Sequence, residues 1–265
     1  MLLTLSSVTK CFHKGAASQV RALDSVDLKI AEGDFITVIG SNGAGKSTLL
    51  SCMAGSFFPD AGRIELAGQD VTHWPEYKRA QLIGRVFQDP VMGSAAQLSI
   101  EENLALADRR GLKRGLSKGV KASERGRYRV LLRQVGLDLE GRLKDKAGLL
   151  SGGQRQSLTM IMATMTNPQI LLLDEHTAAL DPKTAAHVLE LTQTLVLSQN
   201  LTTLMVTHNM NHALRFGNRL IMMHQGQIIL DVNGEKKSAL RVEDILERFY
   251  TLKGEEFSSD KALLV

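Results

Sequence analysis

The chain has 265 residues, long enough for a full hydrophobic core in one large domain or in a domain with a subdomain. Its composition, 43% hydrophobic and 23% charged, is typical of a globular protein, and its net charge of +4 does not by itself indicate nucleic-acid binding. No apolar run approaches the ~18–20 residues that cross a bilayer, and the polar N-terminus is unlike a signal peptide. We therefore expect a cytoplasmic protein whose membrane role would come from a partner.

Hydrophobic periodicity predicts strands and helices along most of the chain. The predicted strands cover residues 2–9, 20–30, 35–39, 63–67, 83–87, 170–174, 202–207, 219–223 and 227–231. The predicted helices cover residues 47–54, 100–107, 128–135, 152–165, 182–198, 210–216 and 242–250. Strand and helix alternate in the last third, which favours a mainly parallel sheet with helices on both faces.

A basic segment, residues 109–129, lies between two predicted helices and contains a single acid, Glu124. Its glycines argue against a continuous helix, so we interpret it as an exposed insertion of a helical subdomain. Two interpretations stay open: a solvated charged surface, or contact with a partner or with anionic lipid headgroups. Its cations are Arg109, Arg110, Lys113, Arg114, Lys118, Lys121, Arg125, Arg127 and Arg129.

Residues 40–48 match the phosphate-binding pattern G-x-x-x-x-G-K-[ST]. A predicted strand precedes the motif and a predicted helix follows it, so backbone N–H groups and a helix N-terminus would surround an anion. We expect Lys46 to reach the terminal phosphates and the Ser47 hydroxyl to bind Mg²⁺. The predicted nucleotide-binding residues are Gly40, Ser41, Asn42, Gly43, Ala44, Gly45, Lys46, Ser47 and Thr48.

Two acids, Asp174 and Glu175, follow four apolar residues of a predicted buried strand. A carboxylate at the C-terminal end of such a strand suits a Mg²⁺ site, which is the role predicted for Asp174. Glu175 then points elsewhere and is placed to act as general base on an attacking water or to orient it. Taken alone, the pair fits ordinary helix-capping acids equally well.

The stretch Leu-Ser-Gly-Gly-Gln, residues 150–154, opens a predicted helix that Ser151 can cap. Its glycine-rich helix start is a second anion site. With this stretch between the phosphate motif and Asp174, the sequence resembles the nucleotide-binding subunits of ATP-binding cassette (ABC) transporters over residues 2–231. The resemblance implies an α/β P-loop NTPase (RecA-like) core with an N-terminal antiparallel β-subdomain and an inserted α-helical subdomain.

The resemblance assigns roles to single residues near the nucleotide. Phe12 stands where the family stacks an aromatic ring on adenine, although a core aromatic is the alternative. Gln88 matches the glutamine that contacts Mg²⁺ and the attacking water and senses the membrane partner. His208 matches the switch histidine that contacts the γ-phosphate. Glu175, His208, Gln88 and Lys46 are thus the predicted catalytic residues, and Ser47, Gln88 and Asp174 the predicted metal ligands.

Other residues match motifs that act across a dimer interface. Asp181 matches the loop that reaches toward a second subunit, and it also suits the N-cap before Pro182. The family signature caps the γ-phosphate bound by the opposite subunit, so two subunits, expected to be a homodimer, would enclose ATP. The signature residues are Ser151, Gly152, Gly153 and Gln154.

By the same resemblance, the chain is an ATPase that uses ATP and Mg²⁺ to energise transport through transmembrane permease subunits, at the cytoplasmic face of the membrane. The ATPase domain is predicted at residues 2–237, with the helical subdomain at about 90–150 and a C-terminal extension at 238–265. The sequence of residues 174–182 resembles that of importer subunits that work with branched-chain amino acid or ribose-type permeases and a substrate-binding lipoprotein. His176 stands where proline is frequent, and Ser157 and Met162 stand where arginines are common.

Alternative functions stay open at this point. An export system has the same separate ATPase subunit, so import of a small solute such as an amino acid is the preferred expectation only. A non-transport ABC ATPase acting on nucleic acid or ribosomes is a further alternative, although such chains usually carry two cassettes or a long coiled coil. A kinase or GTPase would leave residues 150–154 and His208 unexplained.

Overall fold

The computed structural model describes residues 1–16, 18–112 and 119–251. Its strands are β1 (Leu3–Phe12), β2 (Val20–Ile30), β3 (Phe35–Gly40), β4 (Ala61–Leu66), β5 (Gln69–Asp70), β6 (Ile83–Val86), β7 (Ile170–Asp174), β8 (Thr202–Val206), β9 (Arg219–His224) and β10 (Gln227–Asn233). Its helices are α1 (Lys46–Ala54), α2 (Glu76–Arg79), α3 (Ile100–Asp108), α4 (Arg125–Arg133), α5 (Gly152–Thr164), α6 (Pro182–Gln199), α7 (Met210–Arg215), α8 (Gly234–Ser238) and α9 (residues 242–251).

A six-stranded sheet in the order β10-β9-β3-β8-β7-β6 forms the centre of the fold. Its strands are parallel except for β10, which pairs antiparallel with β9. Every residue of β3 is buried, as its continuous apolar sequence predicts for a strand covered on both faces. Because β3, β8 and β7 are neighbours, the segments that follow them emerge side by side at one edge of the sheet.

A second, antiparallel sheet in the order β2-β1-β4-β5 packs with α1 on one face of the central strands. A separate apolar core lies on the opposite face and joins α3, α4, α5 and α6. A small third cluster joins β9, α7 and α9 through the fully buried Ile245. The arrangement confirms the predicted fold class: a mainly parallel sheet, an antiparallel β-subdomain and a helical insertion between β6 and β7.

Two of the differences from the predicted element boundaries depend on contacts with distant segments. Strand β1 continues to Phe12, beyond the predicted end at residue 9, and Phe12 pairs with Val20 of β2. Helix α4 begins at Arg125 rather than near residue 128. Arg125 donates two hydrogen bonds to Glu101 of α3, at 2.6 and 3.0 Å, and this ion pair secures the extra turn.

The described part of the basic segment is largely paired within the molecule. Besides the Arg125–Glu101 pair, Arg127 pairs with Asp108 of α3, and Lys121 Nζ lies 3.9 Å from Glu124 Oε1. Residues 113–118, with three of the predicted cations, lie outside the described residues, as does the predicted polar tail beyond residue 251. These ion pairs of the described residues therefore stabilise the helical insertion, chiefly by joining α4 to α3.

Among the helices of residues 1–16, 18–112 and 119–251, none combines the length and the apolar character that a bilayer crossing requires.

Candidate functional site

The phosphate-binding loop connects β3 to α1, and two of its glycines are required by close backbone packing. A Cβ on Gly45 (φ 97°) would lie 2.2 Å from the carbonyl oxygen of Ala22, and a Cβ on Gly40 (φ 156°) would lie 2.3 Å from that of Met223. No other residue type fits these positions without moving the backbone. Asn42 and Gly43 at the tip of the loop are exposed, so a ligand can reach their backbone N–H groups.

Lys46 is the first residue of α1 and is almost completely buried, at 5% exposure. Its Nζ donates to the carbonyl oxygens of Gly40 at 2.8 Å and of Ser41 at 2.9 Å, which holds the ammonium group inside the loop. Burial lowers the pKa of Lys46, and the negative charges of Glu175 and Asp174 oppose that shift. The lysine is a positive charge positioned behind the loop, where an anion would bind.

Asp174 at the end of β7 lies beside Ser47 of α1. The Ser47 hydroxyl donates to Asp174 Oδ1 at 3.1 Å. No cluster of three or more His, Cys, Asp or Glu side chains able to hold a metal is found among the described residues. One carboxylate and one hydroxyl fit Mg²⁺, which takes oxygen ligands and commonly binds through one or two carboxylates together with substrate phosphates.

Glu175 and His208 meet directly, although they follow different strands. His208 Nε2 lies 2.6 Å from Glu175 Oε1, and the two side chains are 46% and 12% exposed. Glu175 has a φ of 48°, a left-handed conformation that turns the chain away from β7. Its backbone N–H still bonds to the carbonyl oxygen of Val206, which fixes the end of β7 against β8. The acid and the imidazole therefore form a preassembled pair at the edge of the sheet.

Gln88 and Phe12 lie nearer the rim of this region. Gln88 is exposed and lines, together with Asp174, a surface cleft of ≈ 590 Å³. Phe12 is partly exposed, and its ring packs edge-on against Phe57 with the ring centroids 5.2 Å apart. Phe12 is thus not a buried core residue, and part of its ring remains accessible.

The residues of the signature stretch form a separate surface at the N-terminus of α5. The Ser151 hydroxyl accepts from the backbone N–H of Gln154 at 3.3 Å, and Gln154 Oε1 accepts from the Ser151 N–H at 3.2 Å. This reciprocal capping box closes the start of the helix. Ser151 and Gly152 are nevertheless exposed.

The loop that carries Asp181 packs against this surface. A Cβ on Gly153 would lie 2.0 Å from Cγ2 of Thr184, and a Cβ on Gly152 would lie 3.6 Å from Cδ2 of Leu180. Asp181 caps α6 by accepting from the Thr184 N–H at 3.1 Å. Its interactions with the side chain and then with the backbone N–H of Thr184 lower the pKa of Asp181. The structure thus forms two groups of predicted residues: one around the phosphate-binding loop, the other around Ser151 and Asp181.

A profile of the family described as ABC transporter matches residues 23–178 of the chain. A "Tyrosine transport ATP-binding protein" from Clostridioides difficile (strain R20291) is 44% identical over 248 residues, which cover 94% of this chain and 98% of that protein. The chain belongs to the ABC transporter family.

Other relatives and solved structures agree with this family. "Methionine import ATP-binding protein MetN 1" of Bacillus licheniformis is 34% identical over 233 residues, covering 86% of this chain and 66% of that protein. A dimeric post-hydrolysis structure of the ATP-binding cassette MJ0796, bound to ADP and Pi, superimposes with a TM-score of 0.74 at 31% identity, covering 88% of this chain and 98% of that one.

The cassette is therefore the ATP-binding, ATP-hydrolysing subunit of a membrane transporter, as the sequence predicted. The family assignment removes the kinase and GTPase alternatives. The tyrosine and methionine relatives are named for transport, which argues against the nucleic-acid or ribosome alternative.

Sequence reasoning missed Arg85, a charged residue in β6 that lies beside Asp174. Its Nη2 lies 3.8 Å from Asp174 Oδ2, and its side chain is 13% exposed. The sequence does contain a signal, because Arg85 interrupts the otherwise uncharged strand Ile83–Val86. A charge inside a buried strand usually has a specific partner.

Proposed function

We propose that the cassette energises an importer whose cargo is an amino acid of the tyrosine type. The observation that carries this proposal is the 44% identity to a protein named for tyrosine transport over nearly the full length of both chains. Relatives named for methionine import support the direction of transport and the class of cargo. A permease of the branched-chain amino acid or ribose type and a substrate-binding lipoprotein are the further components of this proposal.

The phosphates of ATP bind over the loop of residues 40–48. The exposed backbone N–H groups at the loop tip and the N-terminus of α1 face the anion. Gly45 at the N-cap contributes no side-chain hydrogen bond, so the first N–H groups of α1 are available to phosphate oxygens. Lys46 exchanges its two carbonyl partners for the terminal phosphates, and the adenine ring stacks on the accessible part of Phe12.

Hydrolysis takes place at the Glu175–His208 pair. Glu175 accepts the proton of the attacking water or orients it, and His208 contacts the γ-phosphate. Their 2.6 Å contact supports this division of roles, because the histidine fixes the carboxylate oxygen before water binds. Ser47, Asp174 and Gln88 hold the Mg²⁺ ion, which when bound with ATP neutralises charge on the phosphates.

The site is completed by a second copy of the chain. Ser151 and the N-terminus of α5 are exposed, and they cap the γ-phosphate held by the loop of the other copy. In the capping box the Ser151 hydroxyl accepts a hydrogen bond, so its own proton is available to a phosphate oxygen. Asp181 packs beside this surface and reaches across the same interface. ATP thus joins the two copies, and its hydrolysis separates them.

Opening of the dimer is passed to the permease through the cleft that Gln88 lines. The side chain of Met92, 68% exposed, lies at this cleft, and an exposed apolar residue beside a polar cleft suits a protein contact. The cassette is then held at the membrane surface by its permease. Residues 2–237 form the ATPase domain in this proposal, and residues 238–265 follow it as an extension, of which the described helix α9 packs on the domain through Ile245.

Reconstitution tests the importer proposal. The cassette is co-expressed with candidate permease and lipoprotein subunits from the same organism and assembled in vesicles, and uptake of radiolabelled L-tyrosine and L-methionine is measured. We expect ATP-dependent uptake of an amino acid, and none with Glu175→Gln. ATP-driven efflux, or ATP-dependent uptake restricted to substrates other than amino acids, would contradict the proposal.

A further inference from the structure

Arg85 is a largely buried cation, with 13% of its side chain exposed. It lies in β6, next to β7, with its backbone paired to Leu172. Burial lowers the pKa of its guanidinium, yet an arginine stays charged at neutral pH. A buried charge is costly unless opposite charge and hydrogen-bond acceptors surround it. The contacts of the Arg85 side chain therefore indicate its role.

Two serines of the α1 region fix the orientation of the guanidinium. Arg85 Nη1 donates to Ser56 Oγ at 3.0 Å, and Nη2 donates to Ser51 Oγ at 3.1 Å. The guanidinium carbon lies 4.6 Å from the centre of the Phe87 ring, which adds a cation–π contact. These neutral partners hold the planar group in place but do not balance its charge.

The nearest balancing charge is that of Asp174, and Glu76 adds a smaller contribution. Asp174 Oδ2 lies 3.8 Å from Arg85 Nη2, while Asp174 Oδ1 accepts from the Ser47 hydroxyl at 3.1 Å. The carboxylate is therefore contacted from both sides, by a hydrogen bond from Ser47 of α1 and by a longer ion pair with Arg85 of β6. A carboxylate fixed in this way keeps one orientation before a ligand arrives.

A short polar chain continues from Arg85 to the surface. Ser56 Oγ, which accepts from Arg85, donates its own proton to Glu76 Oε2 of α2 at 2.8 Å. Glu76, Ser56, Arg85 and Asp174 all line the cleft that also contains Gln88. The chain thus connects the carboxylate to the surface proposed above for the permease.

We propose that Arg85 is a positioning residue that holds the Asp174 carboxylate in the orientation required for Mg²⁺, with Ser56 and Glu76 keeping Arg85 in place. This inference rests on the proposed metal role of Asp174. Arg85 does not contact the nucleotide in this arrangement; it acts only through the carboxylate. Its loss should therefore change the Mg²⁺-dependent part of nucleotide binding and leave the Mg²⁺-independent part intact.

Nucleotide binding with and without metal tests this directly. The affinity of the full-length chain for a fluorescent ATP analogue is measured in Mg²⁺ and in EDTA, for wild type, Arg85→Met and Arg85→Lys. We expect Arg85→Met to weaken binding in Mg²⁺ about tenfold and binding in EDTA less than about twofold. Arg85→Lys keeps the charge without the planar fork and should lose about threefold in Mg²⁺.

Two further variants keep the test decisive. Ser56→Ala removes one anchor of Arg85 and should lose about twofold in Mg²⁺ alone, with no additional loss in the Arg85→Met background. If Arg85→Met does not fold, the affinities of Arg85→Lys and Ser56→Ala in Mg²⁺ and in EDTA test the proposal. Arg63→Met, which removes an exposed arginine paired with Glu65 and Asp70, is the matched control and should change neither affinity.

The inference is overturned if Arg85→Met leaves the affinity in Mg²⁺ unchanged, or weakens both affinities equally. The second result would show a general defect of the phosphate-binding loop. An absence of nucleotide binding by the wild type would instead contradict the proposed nucleotide site, and absent transport would contradict only the importer proposal.

Discussion

The two helix N-termini proposed to contact ATP are prepared in opposite ways. Helix α1 begins after Gly45, which supplies no side-chain cap, so its first N–H groups are unpaired by side chains. Helix α5 begins after Ser151, and the reciprocal bonds between Ser151 and Gln154 close its start. The loop at α1 is therefore a preformed anion site, whereas at α5 the side chains of Ser151 and Gln154 already accept from part of the N–H groups.

The difference suggests an order of binding. An uncapped helix start with Lys46 behind it attracts ATP in the single chain, because its N–H groups have no competing acceptor. The capped start of α5 gains less from a phosphate, since side-chain acceptors already serve part of its N–H groups. We therefore expect ATP to bind the loop first and the signature surface of the second copy afterwards.

The largest expected effect is on ATP turnover, and it comes from changing Glu175 beside the phosphate-binding loop. Glu175→Gln keeps the shape of the side chain and removes its negative charge, so it should lower ATP turnover about 10³-fold. Binding of ATP should change little, because the phosphates are held by residues 40–48. Steady-state phosphate release, with the binding isotherm of the same sample, checks both points. Turnover near the wild-type rate would show that Glu175 does not activate or orient the attacking water.

The next largest effect is expected on the free energy of unfolding, from a residue that contacts the C-terminal end of α1. Arg79 is fully buried, and its guanidinium donates four hydrogen bonds to backbone carbonyls, those of Cys52, Met53, Thr72 and Trp74. Arg79→Met leaves these oxygens unpaired and should lower the free energy of unfolding by about 2 kcal/mol. Urea denaturation measures the change, with the exposed Arg63→Met as control. A loss below about 0.5 kcal/mol would mean that water replaces the arginine.

The signature surface at the N-terminus of α5 can be altered without changing any residue of the phosphate-binding loop. Gly153→Ala places a methyl group against Thr184 Cγ2 and should move α5 relative to α6. We expect turnover to fall about tenfold, an overpacking cost of about 1.4 kcal/mol, while ATP affinity stays unchanged. Thr184→Ser removes the opposing methyl group and should restore most of the activity in the double variant. A double variant as inactive as Gly153→Ala would refute this steric explanation.

The smallest expected effect is on the pH dependence of stability. His176, whose carbonyl oxygen accepts from Gln156 of α5 at 2.6 Å, is buried, and burial lowers its pKa to about 4. Since the unfolded histidine titrates near 6.5, its stabilising contribution is complete above pH 6.5 and is lost as pH falls toward 4. Between pH 7 and 5.5 the loss should be about 1 kcal/mol.

Denaturation curves of wild type and His176→Leu at both pH values check this. The variant lacks the titrating group, so its stability should change less between the two pH values. Equal changes in the two proteins would mean that other groups determine the pH dependence.

The residues around the phosphate-binding loop could be predicted from the sequence, because each is placed by the apolar strand that precedes it in the chain. Residues 40–48, Asp174 and His208 each follow or end an apolar segment, and parallel strands bring such ends to one edge. The Ser151–Gln154 cap is also readable from its spacing. Arg85, Arg79 and the extension of β1 to Phe12 could not be assigned, because their partners are distant in sequence and only the fold brings them together. The roles of Gln88 and His208 came from family resemblance.

ATP-driven dimerisation tests the central claim, that each site is built from two copies. Sedimentation velocity of Glu175→Gln is recorded with and without ATP, beside the same variant carrying Lys46→Ala or Gly153→Asp. We predict that ATP converts Glu175→Gln to a dimer and that both double variants remain monomers, although the one with Gly153→Asp still binds ATP. A Glu175→Gln chain that binds ATP and stays monomeric, or a Gly153→Asp double variant that still dimerises, would contradict the claim.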